Sequence, residues 1–152
     1  MRFTLLTTIA ALGALACGGE KKADQTPAAG QPGAAPAAPA GPVVEVKMTG
    51  NGSTKAAFEP AALTIAPGTT VRFINVSGGP HNVAFWSDSI PAGAEAVLAA
   101  ALTNPIDKLS GQFLQQPNET YDVSFANAPA GKYKGFCVPH QGMGMKIQIT
   151  VQ

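Results

Sequence analysis

Residues 137–152 read CVPHQGMGMKIQITVQ, a stretch that combines several metal-binding side chains with a strand-like pattern. Four potential donors fall within nine positions: Cys137, His140, Met143 and Met145. The segment that follows, 146–151, alternates polar and apolar residues as a half-buried β-strand does, with Ile147, Ile149 and Val151 facing inward. The second histidine of the chain, His81, follows the turn sequence SGGP at 77–80. The sequence therefore predicts a metal site that combines His81 with this C-terminal cluster.

A donor set of one cysteine, two histidines and a methionine favours copper over zinc. Thiolate and thioether sulfur stabilise Cu(I), whereas imidazole binds either oxidation state of copper. Structural zinc sites close tetrahedrally on cysteine and histidine and seldom use methionine. We therefore expect a mononuclear blue-copper centre, with a single Cu(I)/Cu(II) ion, that transfers electrons.

The first 17 residues have the pattern of an export signal. Arg2 supplies a positive charge, and the apolar stretch 3–15 is too short to span a bilayer. Residues 14–17, ALAC, resemble a bacterial lipobox, which usually has leucine where this chain has Ala14. We expect lipidation of Cys17; the alternative is cleavage after Ala16 to give a soluble periplasmic protein. A disulfide between Cys17 and Cys137 is disfavoured, because each cysteine already has another role.

Residues 18–42 are predicted to be a disordered tether between this signal and a folded domain at 43–152. Within 20–42 there are eight alanines, five prolines and three glycines, and no aliphatic residue larger than alanine. Such a segment cannot bury enough apolar surface to offset its chain entropy. In polyproline geometry it would reach at most about 70 Å.

The charge of the chain gives no sign of a nucleic-acid partner. The net charge of the 152 residues is +1, and only 12% of them are charged. Residues 43–152 contain seven basic and seven acidic side chains, so the predicted domain is formally neutral. From this balance we expect little electrostatic steering, and an apolar patch as the main docking contact.

The hydrophobic pattern of the predicted domain is that of an all-β protein. Short alternating segments separated by turn residues predict strands at 43–48, 62–65, 69–76, 83–86, 119–125, 132–136 and 146–151. Val71, Phe73 and Asn75 should share one face of the third strand. A stretch rich in alanine, leucine and glutamate predicts one short helix at 92–102. We expect a β-sandwich in which this helix caps one end; a partner-binding helix is the alternative.

Several motifs occur in the order seen in plastocyanins. They are FEP at 58–60, IAPGTTVRFIN at 65–75, PHNV at 80–83, IPAG at 90–93 and the stretch 133–145. Over 43–152 the chain resembles the plastocyanin branch of the cupredoxins. The resemblance implies an eight-stranded Greek-key sandwich with copper at one end. It also implies a monomer.

The resemblance implies the copper ligands His81, Cys137, His140 and Met145. The spacing of His140 and Met145 matches plastocyanins, as do the loop glycines and the short terminal strand. Met143 is the competing axial ligand, because it follows His140 by three positions in the sequence, which is similar to the spacing in amicyanins. We favour Met145 and expect Met143 at the rim of the site.

Further residues are assigned supporting roles by the same resemblance. Asn82 would tie the histidine loop to the cysteine loop, and Pro139 would restrict the latter. Electrons would pass through the edge of His140, close to Met143, Pro139, Gly142 and Pro80, or through Phe136.

The implied partners are redox proteins outside the cytoplasmic membrane, such as a cytochrome or a membrane oxidoreductase complex. The alternative function is that of an exported copper carrier, although carriers usually need exposed and exchangeable ligands. A redox enzyme is not expected, because the sequence offers neither a second metal cluster nor paired acid and base groups.

Overall fold

The computed structural model describes residues 41–152. The predicted export signal with Cys17, and the predicted tether as far as residue 40, lie outside the described residues. The described part has eight strands and one α-helix. In chain order these are β1 (Val43–Gly50), β2 (Ala56–Glu59), β3 (Ala62–Ile65), β4 (Thr70–Asn75), β5 (Ala84–Phe85), α1 (Ala94–Ala101), β6 (Thr120–Ser124), β7 (Gly131–Phe136) and β8 (Lys146–Val151).

The strands form two four-stranded sheets. The first sheet has the order β2-β1-β4-β6, and the second sheet has the order β3-β8-β7-β5. Most neighbouring strands are antiparallel, but β1 pairs with β4 and β3 pairs with β8 in parallel. The expected all-β Greek-key sandwich with one short helix is therefore confirmed.

The core lies between the two sheets and follows the alternation of the strands. Val71, Phe73 and Asn75 are buried on one face of β4, and Ile147, Ile149 and Val151 are buried on one face of β8, as predicted. Edge-to-face aromatic pairs fill the space between the sheets, for example Phe58 with Phe73 at 5.9 Å between ring centroids. The buried faces thus come from the sequence pattern itself.

Two strands differ from the prediction. β2 was not predicted, because Ala56–Glu59 has only one large apolar residue, Phe58, and forms through pairing with β1. β5 is confined to Ala84 and Phe85, since the chain enters a 3₁₀ turn at Ser87–Ser89. Both are short segments in which tertiary pairing outweighs local propensity.

The helix is shorter than expected and has a packing role. α1 covers Ala94–Ala101, starts after Gly93 and buries Ala94 and Leu98 in the core while it packs against β6. Leu102 ends it, with its N–H bonded to the carbonyl of Leu98. In the described part of the chain, no helix has the length and apolarity needed to span a bilayer.

Candidate metal centre

Two connections bring the predicted donors together at one end of the sandwich. His81 lies between β4 and β5, and its backbone forms a two-way bridge with Leu114 (N···O 3.0 and 2.7 Å). Cys137 follows directly on β7, and Met145 directly precedes β8, with His140 between them. Because β7 and β8 are neighbours in the second sheet, the loop that joins them must return on itself, which holds its donors close together.

The donor atoms converge closely enough for one ion. One atom from each of His81, Cys137 and His140 lies within 4.8 Å of the others. The Cys137 Sγ is 3.7 Å from the Nδ1 of His81 and 3.4 Å from the Nδ1 of His140. The two imidazole rings are 4.6 Å apart between centroids. All three residues are buried, so the group is a closed pocket rather than a surface cluster.

Met143 and Met145 differ in burial. Met145 has no exposed surface, whereas the side chain of Met143 is 38% exposed on the 3₁₀ turn Gln141–Met143. Only Met145 therefore lies inside the protein with the other donors. Its backbone carbonyl also accepts a hydrogen bond from the N–H of Cys137 (3.1 Å), which fixes the two ends of the loop against each other.

The tautomer of His81 is set by a backbone carbonyl. The Nε2 of His81 lies 2.9 Å from the carbonyl oxygen of Ser77, which can only accept a hydrogen bond. The proton of the neutral ring therefore sits on Nε2, and the lone pair of Nδ1 faces Cys137. This is the arrangement that a metal-binding histidine requires.

The loop between Cys137 and Met145 is closed by its own backbone. His140 donates to the carbonyl of Cys137 (3.2 Å), and Met143 and Met145 both donate to the carbonyl of His140 (3.0 and 3.3 Å). Gly144 turns the chain with a φ of 81°, in the left-handed region that favours glycine. The loop is thus a compact turn that presents its donors on the inner side.

Asn82 connects the two loops through both its backbone and its side chain. Its N–H points to the Cys137 Sγ at 3.4 Å, and its side-chain oxygen accepts a hydrogen bond from the N–H of Val138 at 2.9 Å. Its amide nitrogen donates to the Ser110 hydroxyl and the Gly111 carbonyl at 3.0 and 3.1 Å. Every polar group of this buried side chain has a partner, so Asn82 holds both loops in place.

Burial shifts the pKa of each ionisable donor in the direction that favours its neutral form. It lowers the pKa of His81 below 6.5, against the opposing hydrogen bond to Ser77. It also lowers the pKa of His140, to which the neighbouring His81 adds charge repulsion. The pKa of the Cys137 thiol is raised by burial, although the N–H of Asn82 favours the thiolate. At neutral pH both imidazoles are therefore free to bind a metal.

The surface around His140 is uncharged and mostly apolar. The histidine itself is only 5% exposed, and its neighbours in the loop, Pro139, Gln141, Gly142 and Met143, are all exposed. Pro80, next to His81, is exposed as well. Phe113, which precedes the bridge partner Leu114 and was not predicted for this region, is an exposed aromatic residue.

Phe136 lies on the outer face of the second sheet, directly before Cys137. Its ring stacks on that of Trp86, with centroids 4.5 Å apart and an interplanar angle of 21°. Trp86 is partly exposed, and its backbone N–H donates to the backbone carbonyl of Lys134 on β7. An aromatic pair thus lies beside Cys137 on the side of the sandwich.

Sequence reasoning missed the residues that orient the donors. The carbonyl of Ser77, the hydroxyl of Ser110 and the backbone of Leu114 contact His81 or Asn82. Asn75 supports the same region, because its side-chain nitrogen donates to the carbonyls of Leu114 and Gln116 at 3.1 Å. The turn at 77–80 was visible in the sequence, but the segment 104–117 carries no periodic pattern that would place it beside the site.

Comparison with known proteins gives consistent matches to copper proteins. Residues 44–152 match the family described as copper binding proteins, plastocyanin/azurin family. The chain is 43% identical over 109 residues to a plastocyanin of Scenedesmus fuscus, with 72% of this chain and 99% of that protein covered. It is 37% identical over 109 residues to a plastocyanin of Rumex obtusifolius, with coverage of 72% and 100%.

The fold is also similar to solved structures. The oxidised plastocyanin of Dryopteris crassirhizoma superposes with a TM-score of 0.54 at 27% sequence identity. The match covers 72% of this chain and all of that one. The family match over residues 44–152 includes both loops that hold the donors.

Proposed function

This chain belongs to the plastocyanin/azurin family of copper-binding proteins, and from that premise we propose that His81, Cys137, His140 and Met145 are the ligands of its copper ion. The protein is a type I copper electron carrier. One observation carries the ligand proposal: the three nitrogen and sulfur donors lie within 4.8 Å of one another, and Met145 is wholly buried. When bound, the copper would carry one electron: Cu(II) accepts it and Cu(I) releases it.

The donor chemistry fits copper in both oxidation states. Two neutral imidazoles and a thiolate form the strong part of the set, and the thioether of Met145 adds a weak contact. Because burial raises the pKa of Cys137, the thiol keeps its proton until a cation binds, and binding then releases that proton to solvent. The N–H of Asn82 stabilises the thiolate that remains.

The surroundings of the donors oppose rearrangement. Asn82 fastens the His81 loop to Val138, and the β7–β8 loop is closed by five hydrogen bonds of its own backbone. Pro139 further limits the backbone between Cys137 and His140. A pocket held in this way keeps similar geometry in the two redox states, which lowers the cost of each electron transfer.

We propose that His140 is a contact point for redox partners. It is the most exposed of the four proposed ligands, and it lies in the same loop as the exposed residues Pro139, Gly142 and Met143. A partner that covers this patch would approach the imidazole edge without having to displace charged groups. Suitable partners are redox proteins such as a cytochrome or a membrane oxidoreductase complex, and the carrier itself would act as a monomer without enzymatic activity.

We further propose that the protein works outside the cytoplasmic membrane. The proposal rests on the sequence of residues 1–17, with lipidation at Cys17 and residues 18–42 as a tether to the copper domain. Mass spectrometry of the mature N-terminus tests it. A lipid-modified Cys17 is expected; an unmodified N-terminus after Ala16 would indicate a soluble periplasmic protein, and an uncleaved chain would contradict export.

The copper site is tested by titration with Cu(II). An intense absorption band in the red part of the visible spectrum should appear at one equivalent, because the Cys137 thiolate donates charge to Cu(II). The Cys137→Ser variant should remain colourless under the same conditions. A wild-type protein that binds copper but stays colourless would contradict the type I assignment and would favour a copper carrier.

A further inference from the structure

The formally neutral domain has an uneven distribution of charge between its two sheets. The strands of the second sheet contain three lysines, Lys132, Lys134 and Lys146, and no acidic residue. The strands of the first sheet contain Glu45, Glu59 and Asp122 against Lys47 and Arg72. Of these, Arg72 and Asp122 form a two-bond ion pair. The overall balance predicted from the sequence therefore conceals one basic face.

The three lysines all point outward from the second sheet. Lys132 and Lys134 alternate with buried Tyr133 and Gly135 on β7, and all three lysines are exposed. Lys146 pairs with Phe136 across the strands, and therefore shares its face. We call the surface formed by these lysines with Trp86 and Phe136 the basic aromatic face.

The aromatic pair lies among these lysines. The backbone N–H of Trp86 donates to the backbone carbonyl of Lys134, and the Nζ of Lys146 lies 6.0 Å from the centre of the Trp86 ring, within the range of a cation–π contact. Phe136 stacks on Trp86 and directly precedes Cys137 in the chain. The pair therefore connects the exposed surface to a copper ligand through a single peptide unit.

The acidic groups near this face do not cancel its charge. Asp88 is exposed on the 3₁₀ turn after Trp86. On the other side, a groove of about 620 Å³ beside Phe136 is lined by Asp107, Glu95 and Lys108. Glu95 is paired with Lys108, which leaves Asp107 as the unpaired acid of that groove. Three lysines thus stand against two separate aspartates at the edges.

We propose that the basic aromatic face is a second docking surface, for a redox protein that carries an acidic patch next to its own redox centre. The proposal rests on the function proposed above, and names a class of partner for it. Three like charges on one face attract an acidic partner, and orient it with the stacked rings of Trp86 and Phe136 at the centre of contact. The His140 surface, in contrast, has no charged residue in its rim of Pro139, Gly142 and Met143.

A redox-inert paramagnetic anion locates the docking surface without using electron transfer. Hexacyanochromate(III) should be added to the isotope-labelled, Cu(I)-loaded full chain, and the broadening of its backbone NMR signals mapped. We expect broadening centred on Lys134, Lys146 and Trp86. Broadening confined to the residues around His140, or spread evenly over the surface, would overturn the proposal.

Charge reversal gives a kinetic test with a matched control. The reduced protein transfers one electron to hexacyanoferrate(III), which becomes hexacyanoferrate(II). Lys134→Glu should slow this reaction about 10-fold at an ionic strength of about 0.01 M, and much less at about 0.15 M, where charges are screened. Lys47→Glu makes the same change in net charge on the first sheet and should have a much smaller effect. Equal effects of the two variants would contradict a localised docking surface.

A vesicle-binding assay distinguishes a protein partner from a lipid surface, and the colour of the Cu(II) protein distinguishes failure of this proposal from failure of the copper site. If phosphatidylglycerol vesicles bind the wild type and the Lys47→Glu variant but not Lys134→Glu, the face is a lipid-binding surface and the proposal is wrong. No vesicle binding that depends on Lys134 is expected. Failure of the copper assignment would be seen as a colourless Cu(II) protein, whereas failure of this proposal would leave the colour unchanged and alter only the anion map and the rates.

Discussion

Val138 donates its backbone N–H to the side-chain oxygen of Asn82 over 2.9 Å, and this bond joins the loop that carries Cys137 to the loop that carries His81. The two residues are 56 positions apart in the chain. The donors come from both sides of this bond, so their spacing depends on it. The first prediction concerns its removal.

Asn82→Ala should destabilise the copper-free protein by about 3 kcal/mol, because it leaves the buried Gly111 carbonyl and the part-buried N–H of Val138 without their partner. Urea denaturation of both forms measures this difference. Asn127→Ala is the control, since Asn127 is exposed, and its effect should stay within about 0.5 kcal/mol. If both variants have the same stability, Asn82 does not hold the loops together.

Met145→Leu should raise the reduction potential of the copper protein, whereas Met143→Leu should change it little. Replacement of the thioether by an aliphatic side chain makes the pocket more apolar, and an apolar pocket favours Cu(I), the less charged state of the copper. The two variants make the same chemical change at a buried and an exposed position. Redox titration followed by the visible band measures the shift. A larger shift for Met143→Leu would reverse the assignment of the axial ligand.

The stability of the copper-free protein should fall as the pH drops below about 6.5. Burial lowers the pKa of both His81 and His140 in the folded protein, so the unfolded chain binds more protons once the pH is below its own histidine pKa. The free energy of unfolding therefore has its full value above about pH 6.5, where both histidines are neutral in both states, and it decreases as the pH falls towards the pKa values of the folded protein.

Urea denaturation at several values between about pH 6.5 and pH 5 measures this slope, in a range where most carboxylates are still ionised. The chain has only these two histidines, which makes the interpretation direct. His140→Gln should reduce the slope. A wild-type stability that is constant over this range would show that the histidines are not held in their neutral form.

Gly135→Ala should cost about 1–3 kcal/mol of stability. A Cβ at this position would lie 2.7 Å from the carbonyl oxygen of Ala84 and 3.1 Å from the Cγ2 of Ile147. Gly135 lies where β7 pairs with β5, two residues before Cys137. Gly142→Ala is the matched control, since its added Cβ would meet no atom within 4 Å. Thermal unfolding compares the two, and an equal loss would mean that the space beside Gly135 is not critical.

The part of the fold that the sequence predicted is the part set by local pattern. Ile147, Ile149 and Val151 alternate with polar residues and are buried, and the donors at 137–145 are close together in the chain as well as in space. The ligand roles of these residues, and of His81, stay predictions that copper binding must test.

The rest depends on contacts between distant segments. β2 forms because Phe58 and its neighbours pair with β1, and the bridge between His81 and Leu114 joins two segments without a periodic pattern. The distribution of charge was also hidden. Counting side chains predicted a neutral domain with little steering, whereas the topology places Lys132, Lys134 and Lys146 on one sheet.

The long separation in sequence between His81 and the 137–145 loop has a consequence for biosynthesis. During translation His81 is synthesised 56 positions before Cys137, and the bond from Val138 to Asn82 requires both segments. A chain that stops before residue 137 therefore contains His81 but none of Cys137, His140 and Met145. Such a fragment lacks three of the four proposed copper ligands, so copper bound by all four identifies a chain that was translated at least as far as Met145.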